Sequence, residues 1–499
     1  MDRGLYTFLT QNAMDYGPLT MDYATKNTTF ASVRKKNVVL EKVPVSAYAA
    51  EGKALARQDG KVIFIEGGVV PGDVVDVKLS KNKKDWAEGT AIHIHSYSSE
   101  RVEPFCEHFG VCGGCKWQML PYSRQLQYKQ QQVVDNLQRI GHLELPAISP
   151  ILGSPHSTCY RNKLEFTFSN KAYLTNQEIA QEGGITRRNA LGFHVPRLFD
   201  KVLDIHTCHL QQEPVNLIRN TVRAFAEANE LPFYDIRAQQ GWLRNLVVRI
   251  CTTGEVMVNL VIHHEDETAR KALLDHLLAT VPAITTIVYT INPKKNDSIF
   301  DLEPKTYYGK GYVEENLEDF VFKIGPKSFF QTNTYQGETL YQVTRDFAAL
   351  TGTEIVYDLY CGTGSIGIFV SRKARKVIGI ELIKEAIDDA IENADRNQVK
   401  NAEFFAGDVV DICDDDFFAL HGQPDVVITD PPRAGMHEKL VSKLLQIAAP
   451  KIVYVSCNPA TQARDLALLS ALYKVAKVQP VDMFPHTHHI ENVVLLEKK

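Results

Sequence analysis

The stretch IVYVSCNPAT, residues 452–461, begins with a continuous apolar run and ends where a proline interrupts it. Such a run is typical of a parallel strand that helices cover on both faces. Pro459 cannot continue a strand ladder, but it suits the first turn of a helix. The pattern places Cys457 on the loop after the strand, where ligands bind in open α/β sheets. We expect Cys457 to be a nucleophile; the alternative is a small buried apolar residue.

The last third of the chain alternates short apolar runs with helical segments. Strand-like runs occupy residues 355–359, 376–380, 402–405, 425–429, 452–455 and 490–497. This alternation with short loops predicts a doubly wound, Rossmann-like α/β domain with a parallel sheet. We expect the domain to span residues 326–499.

A glycine loop, DLYCGTGSIG (residues 358–367), follows the first of these strands. Its glycines satisfy the dinucleotide-binding fingerprint, and Glu381 stands where that fingerprint expects an acid for ribose hydroxyls. We expect Gly362, Gly364, Ser365 and Glu381 to bind a cofactor. An NAD-dependent oxidoreductase is therefore one interpretation.

Three aspartates favour S-adenosylmethionine over NAD. Asp358 precedes the glycines in a D-x-x-C-G-x-G arrangement, and Asp408 follows the third strand, where it is placed to meet an adenine edge. Asp430 begins an Asp-Pro-Pro sequence after the fourth strand, and such a sequence has no role in hydride transfer. We therefore expect S-adenosylmethionine as the cofactor, with Asp408 and Asp430 among its contacts.

Composition sets the broad class of the protein. The 499 residues are 44% hydrophobic and 23% charged, with a formal net charge of −5 and a pI of about 6.4. We see no apolar run long enough for a transmembrane span and no signal peptide, so we expect a cytoplasmic protein with no membrane partner. The acidic balance leaves nucleic-acid binding to local basic patches.

The first 325 residues divide into three parts. Residues 1–36 lack clear periodicity and form an extension of unknown order. Short strand-like segments separated by turn residues predict a small OB-type β-barrel at residues 37–98. Residues 99–325 contain a helix at 122–141 and further strand-like segments, and predict a central α+β domain. Basic residues in the central domain are candidates for an exposed basic surface: Arg161, Lys163, Arg187, Arg188, Arg244 and Arg249.

Three cysteines lie close together in CEHFGVCGGC: Cys106, Cys112 and Cys115. Cytosolic cysteines at such spacing favour a metal site, which needs a fourth ligand. The candidates are Cys159, Cys208, Cys251 and His108. We choose Cys208, because its surroundings are irregular and polar. Zinc and a [4Fe–4S] cluster are both compatible with the spacing.

The ordered set of motifs resembles the RNA uracil-5-methyltransferase family. The motifs are CEHFGVCGGCKWQ, FFQTNTYQ, DLYCGTGSIG, DPPRAG, VYVSCNP and HHIENVVLLEK, behind a segment (residues 52–75) that is similar to a TRAM domain. The match is to the iron–sulfur-containing branch that acts on ribosomal RNA, and it covers roughly residues 38–499. Ser365 departs from the asparagine that this branch often carries, and residues 1–36 have no counterpart.

The resemblance implies roles for individual residues. It implies a [4Fe–4S] cluster on Cys106, Cys112, Cys115 and Cys208. It implies S-adenosylmethionine contacts from Gln331, Tyr360, Glu381 and Asp430, with Cys457 as nucleophile and Glu491 as general base. The implied partner is RNA, most specifically 23S ribosomal RNA, bound through the TRAM-like barrel. No obligate protein partner is implied.

The chemistry of uracil independently requires a thiolate and a base. Carbon 5 is a poor nucleophile until a thiolate adds to carbon 6, and a base must then remove the carbon 5 proton. A helix beginning after Asn458 would help to lower the pKa of Cys457. The target base must be single-stranded or flipped out of its stack. Alternatives are a transfer-RNA uracil methyltransferase, a cytosine-5 RNA methyltransferase and a non-catalytic iron–sulfur RNA-binding protein.

Overall fold

A computed structural model of the protein describes residues 38–181 and 188–499. Val39–Lys499 form one compact unit. The extension expected at residues 1–36 and the basic residue Arg187 lie outside the described residues. None of the helices in the described part of the chain is long and apolar enough to cross a membrane.

Five strands at the start of the described chain form a closed barrel, in the order β1-β2-β3-β5-β4. They are β1 (Val39–Tyr48), β2 (Ala54–Gln58), β3 (Lys61–Glu66), β4 (Val74–Asn82) and β5 (Trp86–Ser96). Asp59 and Gly60 join β2 to β3 with φ of 50° and 75°, as a two-residue hairpin turn requires. Alternate strand residues such as Ile63 and Val75 fill the barrel interior. The predicted β-barrel is confirmed.

The central region contains a long helix and a seven-stranded sheet. The helix is α1 (Tyr122–Arg139), as the sequence predicts. The sheet has the order β12-β11-β10-β9-β6-β7-β8. Its elements are β6 (Lys163–Ser169), α2 (Asn176–Gln181), β7 (Ala190–Val195), β8 (Leu198–Asp204), α3 (Val215–Ala228), β9 (Leu243–Ile250), β10 (Val256–Ile262), α4 (Glu267–Thr280), β11 (Thr286–Ile291) and β12 (Lys305–Tyr308).

Two of the arginines expected on a basic surface are buried instead. Arg244 is 1% exposed and donates to the Asn292 carbonyl (2.8 Å) and to Asp297 Oδ1 (2.8 Å). Arg249 is 2% exposed and lies near Asn162 Oδ1 (3.4 Å). Their hydrogen bonds are internal, because a buried guanidinium must find partners within the protein. The prediction of a basic surface is wrong for these two residues.

The third sheet has seven strands in the order β17-β16-β15-β18-β19-β21-β20. A hairpin of β13 (Val313–Leu317) and β14 (Phe320–Ile324) precedes it. Its elements are α5 (Thr334–Ala348), β15 (Ile355–Leu359), α6 (Ser365–Ser371), β16 (Lys376–Glu381), α7 (Lys384–Arg396), β17 (Ala402–Ala406), α8 (Val409–Ile412), α9 (Asp415–His421), β18 (Val426–Thr429), α10 (Glu438–Ile447), β19 (Lys451–Ser456), α11 (Pro459–Leu469), β20 (Tyr473–Val481) and β21 (Glu491–Lys498).

The doubly wound α/β prediction is confirmed, with one difference in strand direction. Strands β15 to β19 are parallel, whereas β21 lies between β19 and β20 and is antiparallel to both. The reversal follows from the connection, because β20 and β21 are joined by a loop without a crossover helix. As a result, the first residue of β21 lies at the carboxyl edge of the parallel strands.

Helix α1 packs against the third sheet's layer of helices although it precedes the central sheet in sequence. Its buried positions follow one stripe at Gln125, Lys129, Val133 and Leu137. Val133 and Leu137 share a core with residues of β19 and α11. The three domain boundaries given above remain a prediction.

Candidate active site and cysteine site

Three predicted site residues meet at the carboxyl edge of the third sheet. Asp430 follows β18 directly, and Cys457 follows β19. The antiparallel register pairs Ser456 with Asn492, so Cys457 and Glu491 come next along the two strands. The charges of Glu491 and Asp430 both act on the Cys457 thiol. The fold therefore brings the expected nucleophile and base together from positions 34 residues apart in sequence.

Local hydrogen bonds fix the loop that carries Cys457. The Asn458 side chain accepts from Ala460 N (3.2 Å) and caps α11, which begins at Pro459. The same side chain donates to the Arg433 carbonyl (3.1 Å), and Ser456 Oγ accepts from Asn458 N (3.1 Å). The loop after β19 is thereby tied to the loop after β18.

The electrostatics of Cys457 differ from the expectation. Burial, followed by the negative charges of Glu491 and Asp430, raises the pKa of its thiol to about 12, and the charge of Arg433 acts in the opposite direction. These effects oppose the one expected from the start of α11, which favours the thiolate. With these neighbours alone, the thiol is protonated at neutral pH.

The two carboxyls beside Cys457 are also shifted. Glu491 is 6% exposed, and burial followed by the charge of Asp430 holds its pKa well above the usual range. Desolvation raises the pKa of Asp430 to about 7. Groups with pKa values raised by burial beside a partner are typical of sites that exchange protons.

The glycine loop combines an open position with a crowded one. Gly362 has φ of 52° and open space where a side chain would point. Gly364 has φ of 75° and stands against Ala390 and Phe404. The Gly362 amide donates to Glu381 Oε2 (3.3 Å). The loop therefore presents bare backbone beside a carboxylate, an arrangement that suits a polar ligand approaching closely.

The Asp358 side chain is hydrogen-bonded to the end of this loop. Its Oδ2 accepts from Gly367 N (2.8 Å), whereas its buried Oδ1 has no hydrogen-bond partner among the described residues. Burial, followed by the charges of Asp430 and Glu381, raises the pKa of Asp358 to about 8, although its hydrogen bond from Gly367 acts in the opposite direction. Negative charge on Asp430 and Glu381 therefore opposes ionisation of Asp358, and a cation bound at this edge would offset that effect.

The other predicted cofactor contacts have varied surroundings. Tyr360 has φ of 61°, and its pKa is raised to about 12 by burial and then by charges that include Asp408 and Glu381. Ser365 Oγ is 2.8 Å from the Tyr341 hydroxyl. Asp408 is exposed and caps α8 by accepting from Val410 N (2.8 Å).

Gln331 is 8% exposed and lies beside α5. Its carbonyl accepts from the Asn162 side-chain amide (2.9 Å). Its side-chain amide acts on the pKa of Tyr341, the residue that contacts Ser365. Gln331 is thus close to the start of α6, on the side of the glycine loop.

The four predicted cysteine ligands line one cavity of about 280 Å³. Burial raises the pKa of Cys112 to about 11 and that of Cys115 to about 12, and it raises the pKa of Cys106 and Cys208 as well. Cys106 and Cys208 also act electrostatically on both Cys112 and Cys115. Among the described residues, no group of three or more His, Cys, Asp or Glu side chains is close enough to hold a single metal ion.

The alternative fourth ligands are less well placed. Cys159 is exposed and Cys251 is buried in a different core, and neither lines the cavity. His108 does line it, but its Nε2 already accepts from His206 N (3.1 Å). The geometry therefore favours Cys208 among the four candidates.

The sequence interpretation missed a set of buried polar residues behind the site. Lys129 forms an ion pair with Asp482 (2.6 Å), and both side chains are fully buried. His486 and His488 are at most 9% exposed, and burial lowers their pKa values to about 4 and about 3. A signal for Lys129 existed, since a lysine on the apolar stripe of an amphipathic helix requires a partner.

Comparisons with known proteins agree on one family. A family model described as tRNA (uracil-5-)-methyltransferase matches residues 238–499. A Bacteroides thetaiotaomicron protein described as an uncharacterized RNA methyltransferase is 56% identical over 453 residues, or 90% of this chain and 99% of that protein. A Porphyromonas gingivalis protein with the same description is 51% identical, over 91% of this chain and 98% of that protein.

One solved structure is similar over nearly the whole chain. It is the Pyrococcus abyssi tRNA (uracil-54, C5)-methyltransferase in complex with S-adenosyl-L-homocysteine. The TM-score is 0.70 at 28% identity, and the match covers 92% of this chain and 100% of that chain. The resemblance therefore extends beyond the third sheet.

Proposed function

The chain belongs to the tRNA (uracil-5-)-methyltransferase family, and on that premise we propose that it transfers a methyl group from S-adenosylmethionine to carbon 5 of a uridine in 23S ribosomal RNA. The observation that carries the proposal is the placement of Cys457 and Glu491 next to the Ser456–Asn492 pair, beside Asp430. A cytoplasmic location follows from the same substrate.

Cys457 and Glu491 have complementary parts in the reaction. The Cys457 thiolate adds to carbon 6 of the uracil, and the electron pair of the 5,6 double bond moves toward oxygen 4. S-adenosylmethionine, when bound, would supply the electrophilic methyl group that carbon 5 takes, and its S–CH3 bond would break to leave S-adenosylhomocysteine. Glu491, once ionised, accepts the carbon 5 proton, the double bond re-forms, and Cys457 leaves carbon 6 as a thiolate.

The charges around Cys457 control the first step of the reaction, because they set the protonation of its thiol. Cys457 must lose its proton, and the charges of Glu491 and Asp430 oppose that loss. A cationic group beside Asp430 would counter the effect of these carboxylates and lower the pKa of the thiol. We propose that the thiolate forms only once the cofactor's positive charge is present. The cofactor would then have to bind before Cys457 attacks the uracil.

The groups at the glycine loop fit S-adenosylmethionine. Glu381 would accept from ribose hydroxyls, and the bare backbone of Gly362 and Gly364 leaves room for the amino-acid end. The cofactor's ammonium and sulfonium would relieve the repulsion among the nearby carboxyls. We propose further contacts from five residues: Gln331, Tyr360, Ser365, Asp408 and Asp430.

We propose that Cys106, Cys112, Cys115 and Cys208 hold a [4Fe–4S] cluster. Their shared cavity supports this assignment, because four cysteines are the usual ligands of such a cluster. A bound cluster would join the cysteine loop, which would supply three of its ligands, to the segment before α3, which would supply the fourth.

Metal analysis tests the cluster. Protein purified without oxygen should contain iron and acid-labile sulfide, Cys208→Ser should lose both, and the exposed Cys159→Ser should keep both. A protein with stoichiometric zinc and no sulfide would overturn the assignment.

Transfer RNA is the second candidate substrate, and the Pyrococcus structure favours it. That protein is named as a transfer-RNA methyltransferase, and the match covers 92% of this chain, so neither the barrel nor the central region separates the two substrates. Incubating each RNA with the protein and S-adenosylmethionine, followed by mass spectrometry of nucleosides, should yield 5-methyluridine in ribosomal RNA. Methylation of transfer RNA alone would overturn our choice of substrate.

The nucleophile is tested separately with RNA that contains 5-fluorouracil, whose carbon 5 carries no removable proton. The wild-type protein should form a covalent complex that survives denaturing electrophoresis, as should the control Cys159→Ala. Cys457→Ala should form none. If Cys457→Ala forms the complex as well as the wild type does, the assignment of the nucleophile is wrong.

A further inference from the structure

The loop of residues 482–490 joins β20 to β21 and delivers Glu491 to the site. We propose that Gln125 and Lys129 of α1 act on this loop as positioning residues, holding Glu491 where it can reach the carbon 5 proton. The inference rests on the proposed role of Glu491 as the base. We call these two residues and the loop atoms that they hold the loop clamp.

The first contact of the clamp is at the beginning of the loop. Asp482 Oδ1 accepts from Lys129 Nζ (2.6 Å) and from Phe484 N (3.1 Å), and Oδ2 accepts from the Tyr122 hydroxyl (2.9 Å). Lys129 Nζ also donates to the Phe484 carbonyl (3.1 Å). The Asp482 amide donates to the Leu152 carbonyl (2.9 Å). Hydrogen bonds therefore hold both oxygens of the Asp482 carboxylate, and they also hold the backbone at Asp482 and at Phe484.

The second contact is four residues further along. The Gln125 side chain accepts from His486 N (2.8 Å), and its Nε2 lies 3.1 Å from His486 Nδ1. The His486 carbonyl accepts from Lys116 N (2.8 Å) and Trp117 N (3.0 Å). Tyr160 donates its hydroxyl to the Pro485 carbonyl (3.0 Å). The backbone of the loop is thus held on both sides at His486.

The short segment between His486 and Glu491 is also constrained. Thr487 Oγ1 donates to the Phe484 carbonyl (2.8 Å) and accepts from His489 N (3.2 Å), so the loop is also bonded to itself. The register of β21 begins at Glu491. A displacement of the clamped segment would therefore reach the carboxylate.

Polar anchors at these positions need an explanation other than packing. Gln125 and Lys129 are both fully buried on the stripe that Val133 and Leu137 continue with apolar side chains. A buried ion pair is often no more stabilising than apolar residues of the same size, but it fixes a single geometry. A fixed geometry is what a general base requires, since an error of about 1 Å can cost roughly 100-fold in rate.

The clamp predicts which step fails when it is loosened. Addition of Cys457 and methyl transfer do not use Glu491, but loss of the carbon 5 proton does. A variant with a displaced Glu491 should therefore complete methyl transfer and then stop, with Cys457 still bonded to carbon 6. That species is a covalent protein–RNA complex formed on ordinary uridine RNA, which loss of stability alone would not produce.

The experiment compares Gln125→Met with Glu491→Gln, each incubated with uridine RNA and S-adenosylmethionine and analysed by denaturing electrophoresis. Both should accumulate the covalent complex, and Gln125→Met should release product roughly 10- to 100-fold more slowly than the wild type. Val133→Ala and Gln138→Leu are controls on the same helix, one buried and one exposed. Neither should accumulate the complex.

The outcomes separate the clamp from the proposed function. If Glu491→Gln accumulates the complex and a folded Gln125→Met does not, the clamp is refuted and the base assignment stands. If Glu491→Gln accumulates none, the base assignment fails and the clamp fails with it. Accumulation in Val133→Ala would also refute the clamp. If Gln125→Met does not fold, Tyr122→Phe decides, because it removes the hydroxyl that donates to the same Asp482 carboxylate that Lys129 holds. Tyr122→Phe should accumulate the complex, and a folded Tyr122→Phe that accumulates none refutes the clamp.

Discussion

Alanine substitutions in the glycine loop should separate stability from cofactor binding. Gly362→Ala places a methyl group in open space, so its cost is the left-handed backbone conformation, about 1–2 kcal/mol. Gly364→Ala pays the same cost, and its Cβ would lie 2.9 Å from the Ala390 Cβ and 3.0 Å from the Phe404 ring. Overpacking of that kind adds about 1–3 kcal/mol. The expected losses are therefore about 1–2 and 2–5 kcal/mol.

The assay is urea unfolding of each variant, combined with calorimetric titration of S-adenosylmethionine. Gly254→Ala is the matched control, because Gly254 has φ of 86° and open space but lies in the turn between β9 and β10. Gly254→Ala and Gly362→Ala should lose similar stability. Only Gly362→Ala should also lose cofactor affinity, by tenfold or more, which corresponds to about 1.4 kcal/mol.

Two results would refute this reasoning. Equal stability of Gly364→Ala and Gly362→Ala would show that the contacts with Ala390 and Phe404 do not limit the space at position 364. Unchanged cofactor affinity in a folded Gly362→Ala would show that the cofactor does not approach the open side of the loop.

Other predictions follow from the buried charges. The pKa of Asp358 is raised from 3.8 to about 8, so its stabilising contribution is complete below about pH 4 and is lost as the pH rises through 8. The free energy of unfolding should therefore fall between pH 5 and pH 8, and in Asp358→Asn that fall should be smaller by roughly 3–5 kcal/mol. An equal fall in the wild type and in Asp358→Asn would contradict this. Lys129→Met should lower the free energy of unfolding by about 3–5 kcal/mol, because it leaves the buried Asp482 carboxylate without its cationic partner. Adding Asp482→Asn to the same chain should recover part of that loss in urea unfolding. Arg433→Ala should slow alkylation of Cys457 about two- to fivefold at pH 9, measured by peptide mass spectrometry, because Arg433 lowers the pKa of that thiol; faster alkylation would reverse the argument.

Local patterns were sufficient for much of the fold. The apolar run before Cys457 and the glycines at 362 and 364 each follow from the conformation of a few consecutive residues. The strands β15 to β19 and the helix α1 were predictable for that reason. The strand β20 was not, because Tyr473–Val481 contains polar residues and a proline, and its position depends on pairing with β21.

Properties that depend on distant parts of the chain were not predictable. The protonation of Cys457 is set by Glu491 and Asp430, which arrive on two other strands. Arg244 looked like a surface cation, because its partners on the loop after β11 are about 50 residues away. The unusual position of Lys129 was visible in the sequence, but its partner Asp482 was not.

The ion pair of Lys129 with Asp482 joins residues that are 353 positions apart in sequence, and the whole central sheet lies between them along the chain. The entropy of closing such a segment grows only with the logarithm of its length, by about 0.6 kcal/mol for each doubling. Surface loops of the central region could therefore lengthen or shorten during evolution at little thermodynamic cost to the methyl-transfer site. A truncated protein designed to keep that site must retain residues 122–139 together with the last third of the chain.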